Sequence, residues 1–136
     1  MTAPGESSAF SHATAAVPES VAVLRHALVA YARRADVSAG ILDDVAIAVS
    51  EAVTNTVLHA YAGQATGNVT VSASVSEDEL AISISDGGHG MRPRHDSPGL
   101  GLGLPLMAQL ADRMEVGQID GVGTEVRLVF ALTRRL

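Results

Sequence analysis

Between Asp43 and Tyr61 the chain reads DDVAIAVSEAVTNTVLHAY, and its apolar residues return with the period of a helix. At about 100° per residue, Leu42, Val45, Val49, Ala52, Val53 and Thr56 fall on one stripe. Glu51 and Asn55 are four residues apart, so they stack on one edge of that stripe, one turn above the other. A carboxylate and an amide bordering a buried face are well placed to line a pocket, although the same pair also occurs on solvated helices. An earlier helix is expected from Pro18 and Glu19 to about Ala35, with Pro in the first turn, where it is tolerated. Val21, Leu24, Leu28 and Tyr31 share one of its faces, and Arg25, Arg33 and Arg34 lie off it. Phe10 to Val17 is a short strand candidate, and the small, polar residues 1–8 are expected to fray.

Past Gly63, a usual helix stop, the period changes from helical to alternating. Val69, Val71, Ala73 and Val75 alternate with Thr and Ser. After the acidic turn Glu77-Asp78-Glu79, Leu80, Ile82 and Ile84 alternate again, so residues 69–85 read as an antiparallel pair. A helix from Leu104, with Pro105 in its first turn, carries Leu106, Met107, Leu110 and Ala111. Met114 to Val116 and Thr124 to Leu132 form a second hairpin, punctuated by Gly117, Gly121 and Gly123. Strand, two helices, two strands, loop, helix and two strands predict an α+β sandwich.

Glycine adds chemistry to this outline. The strand ending at Ile84 runs into Asp86-Gly87-Gly88-His89-Gly90. Asp-Gly is a common turn, but three glycines in four residues also let a backbone approach a ligand closely. A strand-end Asp is fixed enough to accept a directed hydrogen bond. Gly99, Gly101 and Gly103 then lead toward the third helix, where free N–H groups and the positive end of the dipole favour an anion. The spacing is not the dinucleotide fingerprint, because Leu106 stands where that motif wants Gly or Ala.

Composition narrows the classes. A chain of 136 residues suits one core, and 47% apolar with 3% aromatic content makes that core Val, Leu, Ile and Ala. Without Cys, neither a disulfide scaffold nor a thiolate site is possible. No apolar run approaches the ~20 residues of a membrane span, and no secretory signal is visible at the N-terminus, so a cytoplasmic protein is expected. A net charge of −6 argues against nucleic acid as a direct partner. All nine basic residues are Arg, which excludes the P-loop lysine and Schiff-base chemistry. A nucleotide here has to be held by backbone N–H groups, a metal and, at most, Arg. Arg92 and Arg94 could meet phosphate, solvent or a partner. The five His show no metal-ligand spacing. His59, one turn past Asn55, lies near the candidate site, either as part of it or as packing.

Four segments together, SEAVTN with Glu51 and Asn55, DGGHG at 86–90, GLGLPLM at 101–107 and GVGTEV at 121–126, resemble the Bergerat-fold ATPases, the superfamily of histidine kinases, type II topoisomerases and MutL. In so short a chain the pattern is most similar to the anti-sigma factor serine kinases, over about residues 10–132. The resemblance implies a two-layer α+β sandwich, a mixed but mostly antiparallel sheet with helices on one face, making residues 9–134 the ATPase domain. It implies ATP and Mg²⁺, with Asn55 as the metal ligand and Glu51 as the general base. It assigns the adenine amine to Asp86, supported by Thr124, and close backbone approach to Gly88 and Gly90. Residues 91–102 become a lid, and Gly101, Leu102 and Gly103 bind phosphate. No phosphoacceptor helix pair is visible before the ATPase segment, so a stand-alone domain acting on another protein is expected. The implied partners are a sigma factor, held inactive, and an anti-anti-sigma factor of the STAS-domain type, phosphorylated on Ser or Thr. A homodimer is also implied, with Phe10 and Val17 on the surface not yet assigned. The competing reading is a regulatory module that binds ATP and a signalling partner without phosphotransfer.

Overall fold

A computed structural model describes residues 9–61, 65–87, 100–119 and 123–132. The element order is that of the sequence pattern. Strand β1 is Phe10–Ala15, helix α1 Glu19–Arg34, helix α2 Ala39–Asn55, strand β2 Asn68–Val75, strand β3 Glu79–Asp86, helix α3 Leu100–Leu110, strand β4 Arg113–Ile119 and strand β5 Gly123–Ala131. The five strands form one sheet in the order β1-β2-β3-β5-β4. The sheet, expected to be mostly antiparallel, is so at every pairing.

Alternation along the strands gives the sheet two unlike faces. Val69, Val71 and Ala73 of β2, Leu80, Ile82 and Ile84 of β3, and Val126, Leu128 and Phe130 of β5 are buried on the inner face. The opposite face carries Ser72, Ser74, Ser83, Glu125 and Arg127, with the Ser83 hydroxyl donating to Glu125 Oε2 at 2.7 Å. The helices cover only the inner face. α2 lies between α1 and α3 and touches β3 and β5. Its expected stripe is the core itself, since Leu42, Val45, Val49, Ala52, Val53 and Thr56 are all buried, and Ala48 joins them.

The joint between α1 and α2 shows how local geometry sets this packing. Asp36 follows the end of α1 in the left-handed region, with φ 65°. The Asp36 N–H donates to Arg33 O at 3.0 Å and the Val37 N–H to Ala32 O at 3.1 Å. This is the Schellman pattern, which satisfies the last carbonyls of a helix and brings an apolar residue back onto it. Val37 and Ala32 are both buried. Arg25, off the apolar face of α1, donates to the Ser50 hydroxyl at 3.2 Å and ties α1 to α2.

Three expectations shift. α2 is α-helical only to Asn55, and Thr56–Ala60 continues it as a π-helical turn. α3 starts at Leu100, four residues before the expected start, so Gly101 and Gly103 belong to its first turn instead of preceding it. Phe10 is not unassigned surface: its ring packs on Tyr31 of α1, with centroids 5.3 Å apart. A β-branched or apolar run marks a core face but not whether a neighbour reaches it, and α1 reaches Phe10. Residues 1–8 lie outside the described residues.

Because only Gly adopts the left-handed region without a Cβ conflict, Asp36→Gly is expected to raise stability by ~0.5–1 kcal/mol. Urea unfolding followed by circular dichroism measures it, and a loss of stability would count against the strain assigned to Asp36.

Candidate functional site

The inner rows of β3 and β5 are apolar until their last position. Leu80, Ile82 and Ile84 are followed by Asp86, and Phe130, Leu128 and Val126 lead to Thr124. Asp86 and Thr124 are register partners across the two strands. They retain 7% and 2% of their accessible surface. A carboxyl and a hydroxyl thus sit side by side where the alternation calls for two more apolar side chains. Burying them is costly unless they are hydrogen-bonded, so this end of the sandwich is polar where the rest of the sheet's inner face is apolar.

The backbone around Asp86 is clamped from two sides. The Tyr61 hydroxyl accepts from the Gly87 N–H at 3.0 Å and donates to Asn68 O at 2.6 Å, bridging the end of β3 and the start of β2. Tyr61 in turn needs Gly67 beneath it, because a Cβ there would come within 2.5 Å of the ring. On the other side lies Gly123, where a Cβ would overlap the carbonyl of Asp86 and reach 3.2 Å from Gly87 Cα. The sequence pattern treated Gly123 as turn punctuation and Tyr61 as a helix end. Contacts 36 and 26 residues apart in the chain have no local signal, which is why neither stood out.

Tyr61 also fixes which end of α2 meets the pocket. It directly follows the π-helical turn, so the end of α2 that carries Asn55 lies at the Asp86 end of the sheet. Asn55 retains only 4% exposure, and its Nδ2 is buried without a hydrogen-bond partner. Glu51 is partly buried one turn earlier. Glu51 and Asn55 therefore do border the buried face, as the spacing required.

The third contributor is α3. Its first-turn N–H groups are those of Leu100, Gly101, Leu102 and Gly103, which lack intrahelical partners by position. Gly88 and Gly90, Arg92 and Arg94, and residues 91–99 of the expected lid lie outside the described residues. Among the described residues, no group of three or more His, Asp or Glu side chains could hold a metal by itself, and no helix is long and apolar enough to cross a membrane.

An antiparallel sheet with helices on one face, and buried polar residues where strand ends meet the end of a buried helix, define the class. The chain belongs to the histidine kinase-like ATPase domain family, whose profile matches residues 14–130. It is 36% identical over 119 residues to an anti-sigma F factor of Clostridium beijerinckii, covering 79% of this chain and 83% of that protein. It is 37% identical over 134 residues to the serine-protein kinase RsbW of Bacillus licheniformis, covering 88% and 82% of the two chains. Among solved structures, that of the RsbU and RsbW domains of a Mycobacterium tuberculosis protein superposes with a TM-score of 0.75 at 19% identity. The match spans 95% of this chain and 34% of that longer one, a likeness of fold.

Since the backbone of Asp86 has no room to move away from a Cβ at position 123, Gly123→Ala is expected to cost ~1–3 kcal/mol, as overpacking does. Denaturant unfolding checks it. Parent-like stability would show that the β3–β5 joint can give.

Proposed function

We propose that this chain is an ATP-dependent serine/threonine protein kinase that also acts as an anti-sigma factor. It sequesters an RNA polymerase sigma factor and phosphorylates an anti-anti-sigma factor, a STAS-domain protein, so that phosphorylation decides which partner is held. The observation that carries the nucleotide part is the buried pair Asp86 and Thr124, ending two apolar strand rows opposite the end of α2. The anti-sigma and serine-kinase parts rest on the two bacterial relatives. Partner exchange of this kind needs only differential affinity in the two phosphorylation states.

Each residue has a chemical task. Asp86 accepts a hydrogen bond from the exocyclic amine of adenine, with Thr124 supporting it. Gly88 and Gly90 let the backbone pass close to the base and ribose. The amides of Gly101, Leu102 and Gly103 in the first turn of α3 meet phosphate oxygens, which suits a helix N-terminus in a chain without Lys. Mg²⁺ takes oxygen ligands, so Asn55 is assigned to it through the amide oxygen Oδ1, while its buried, partnerless Nδ2 is a donor that suits a phosphate oxygen. Bound there, Mg²⁺ would neutralise phosphate charge. Glu51 orients the acceptor hydroxyl and takes up its proton. Phosphoryl transfer requires mainly positioning and charge neutralisation from the protein.

The two side chains of α2 then fail differently. Asn55→Ala is expected to weaken Mg²⁺-ATP binding itself. Glu51→Ala is expected to bind ATP and the sigma factor normally while losing ~10²–10⁴ in transfer rate, the usual contribution of a general base. Calorimetry with ATP and transfer of labelled phosphate to the anti-anti-sigma factor separate the two. Transfer at the parent rate by Glu51→Ala would remove that residue as the base. An unaltered protein that binds sigma factor but transfers no phosphate would establish the non-enzymatic module instead.

The proposal includes a cytoplasmic setting, where both partners work, and a homodimer. β1 is an edge strand, paired on one side only among the described strands, and an unpaired edge is a template for a second copy. Sedimentation at tens of micromolar is expected to return a dimer, and a monomer at all concentrations would contradict it.

A further inference from the structure

The ladder between β2 and β3 ends at the register pair Val69 and Asp86. Continued by one step, the antiparallel pairing would set Asn68 opposite Gly87. At that step the Tyr61 hydroxyl stands between the two strands, accepting from the Gly87 N–H at 3.0 Å and donating to Asn68 O at 2.6 Å. A phenol oxygen thus takes the place of a ladder bond, and it comes from neither strand. It belongs to the residue that closes the π-helical turn after α2. The ring has room there because position 67 is Gly, where a Cβ would lie 2.5 Å from ring carbons Cε1 and Cζ. A side chain set into a backbone ladder needs a reason, since two backbone groups can satisfy each other without it.

The reason lies in the peptide that joins Asp86 to Gly87. The hydroxyl grips its N–H edge. Its other edge is the Asp86 carbonyl, which lies so close to Gly123 that a Cβ there would overlap it. A trans peptide is planar, with N–H and C=O pointing opposite ways, so contact at both edges fixes its rotation. That rotation relates the backbone to the Cα–Cβ bond of Asp86, and the ladder holds the same residue from its other side. The direction in which the carboxyl leaves the strand is set by these contacts together. A hydrogen bond weakens steeply as its angle departs from linear, so direction decides how well a fixed acceptor reads its donor. Resting on the reading above in which Asp86 accepts from the adenine amine, we propose that Tyr61 is a positioning residue for base recognition. Its hydroxyl sets the Asp86 carboxyl in the geometry that selects a 6-aminopurine, and it acts through Asp86, not on the nucleotide.

Purine riboside triphosphate is ATP without the exocyclic amine, so the ratio of the two dissociation constants isolates the amine contact. The unaltered protein is expected to prefer ATP by on the order of tenfold or more, as a hydrogen bond to a charged group does. In Tyr61→Phe that preference is expected to shrink severalfold through weaker ATP binding, with the affinity for the amine-free nucleotide close to the parent value. In an Asp86→Ala background, where the preference is already gone, Tyr61→Phe is expected to change the ratio no further. The variant keeps the ring, and Gly87 N–H and Asn68 O can bond to each other or to water. The melting temperature of the nucleotide-free Tyr61→Phe protein is therefore expected to stay within a few degrees of the parent. Titration calorimetry and thermal melts read these quantities. Three results would overturn the inference while leaving nucleotide binding intact. They are a parent-like preference in Tyr61→Phe, an equal loss for both nucleotides with or without a fall in melting temperature, and a further change of the ratio in the Asp86→Ala background. If the unaltered protein showed no preference for ATP over purine riboside triphosphate, the assignment of Asp86 to the adenine amine would itself fall and take this inference with it.

Discussion

The inner face of the sheet has to be kept from water, and one helix does most of that. α2 presents Val45, Ala48, Val49, Ala52 and Val53, all fully buried, and touches β3 and β5. Small side chains dominate this face, so the helix can lie close to the strands. α1 and α3 flank it, and the turn at Asp36 sets how α1 folds back on it. A buried Leu or Val contributes roughly 1.5–3 kcal/mol, so the sandwich depends on this contact more than on any polar interaction in the chain.

The site is built where that dry interface stops. The apolar rows of β3 and β5 end in Asp86 and Thr124, and the apolar stripe of α2 ends in Asn55 and Thr56, which are also buried. Polar groups in such positions stabilise little by themselves and are costly when unpaired. Thr56 is satisfied within the helix, its hydroxyl donating to Ala52 O at 3.3 Å. The clamp formed by Tyr61, Gly67 and Gly123 holds the backbone of Asp86 and Gly87 to a fixed course. The carboxyl can then recognise a ligand by geometry as well as by charge.

The opposite face of the sheet follows a different rule. Its short hydroxyl side chains, together with Glu125 and Arg127, leave it wettable, so it needs no helical cover. The exposed ion pair between Arg113 and Glu79 joins β4 to β3 across β5 and contributes little, being solvated on both sides. Association through β1 would leave the pocket open, since β1 lies at the far side of the sheet from β5 and β4.

The sequence alone determined the elements, their order and the face each buries, because period and alternation are local properties of a chain. Val45 through Val53 announced a core helix, and Leu80 through Ile84 a half-buried strand. Glu51 and Asn55 were legible for the same reason, as a polar pair at helical spacing on the border of an apolar stripe. Asp86 was legible as an acid at a strand end before a run of glycines. Tertiary structure decided the rest. It placed Thr124 beside Asp86, put Tyr61 on Gly87 and Gly123 against the Asp86 carbonyl, and laid the ring of Phe10 on Tyr31. It also turned the last part of the central helix into a π-turn, Thr56–Ala60. Each of these depends on which strand lies next to which, and on how closely two backbones approach. Those are distances between residues far apart in the chain, and no local pattern encodes them.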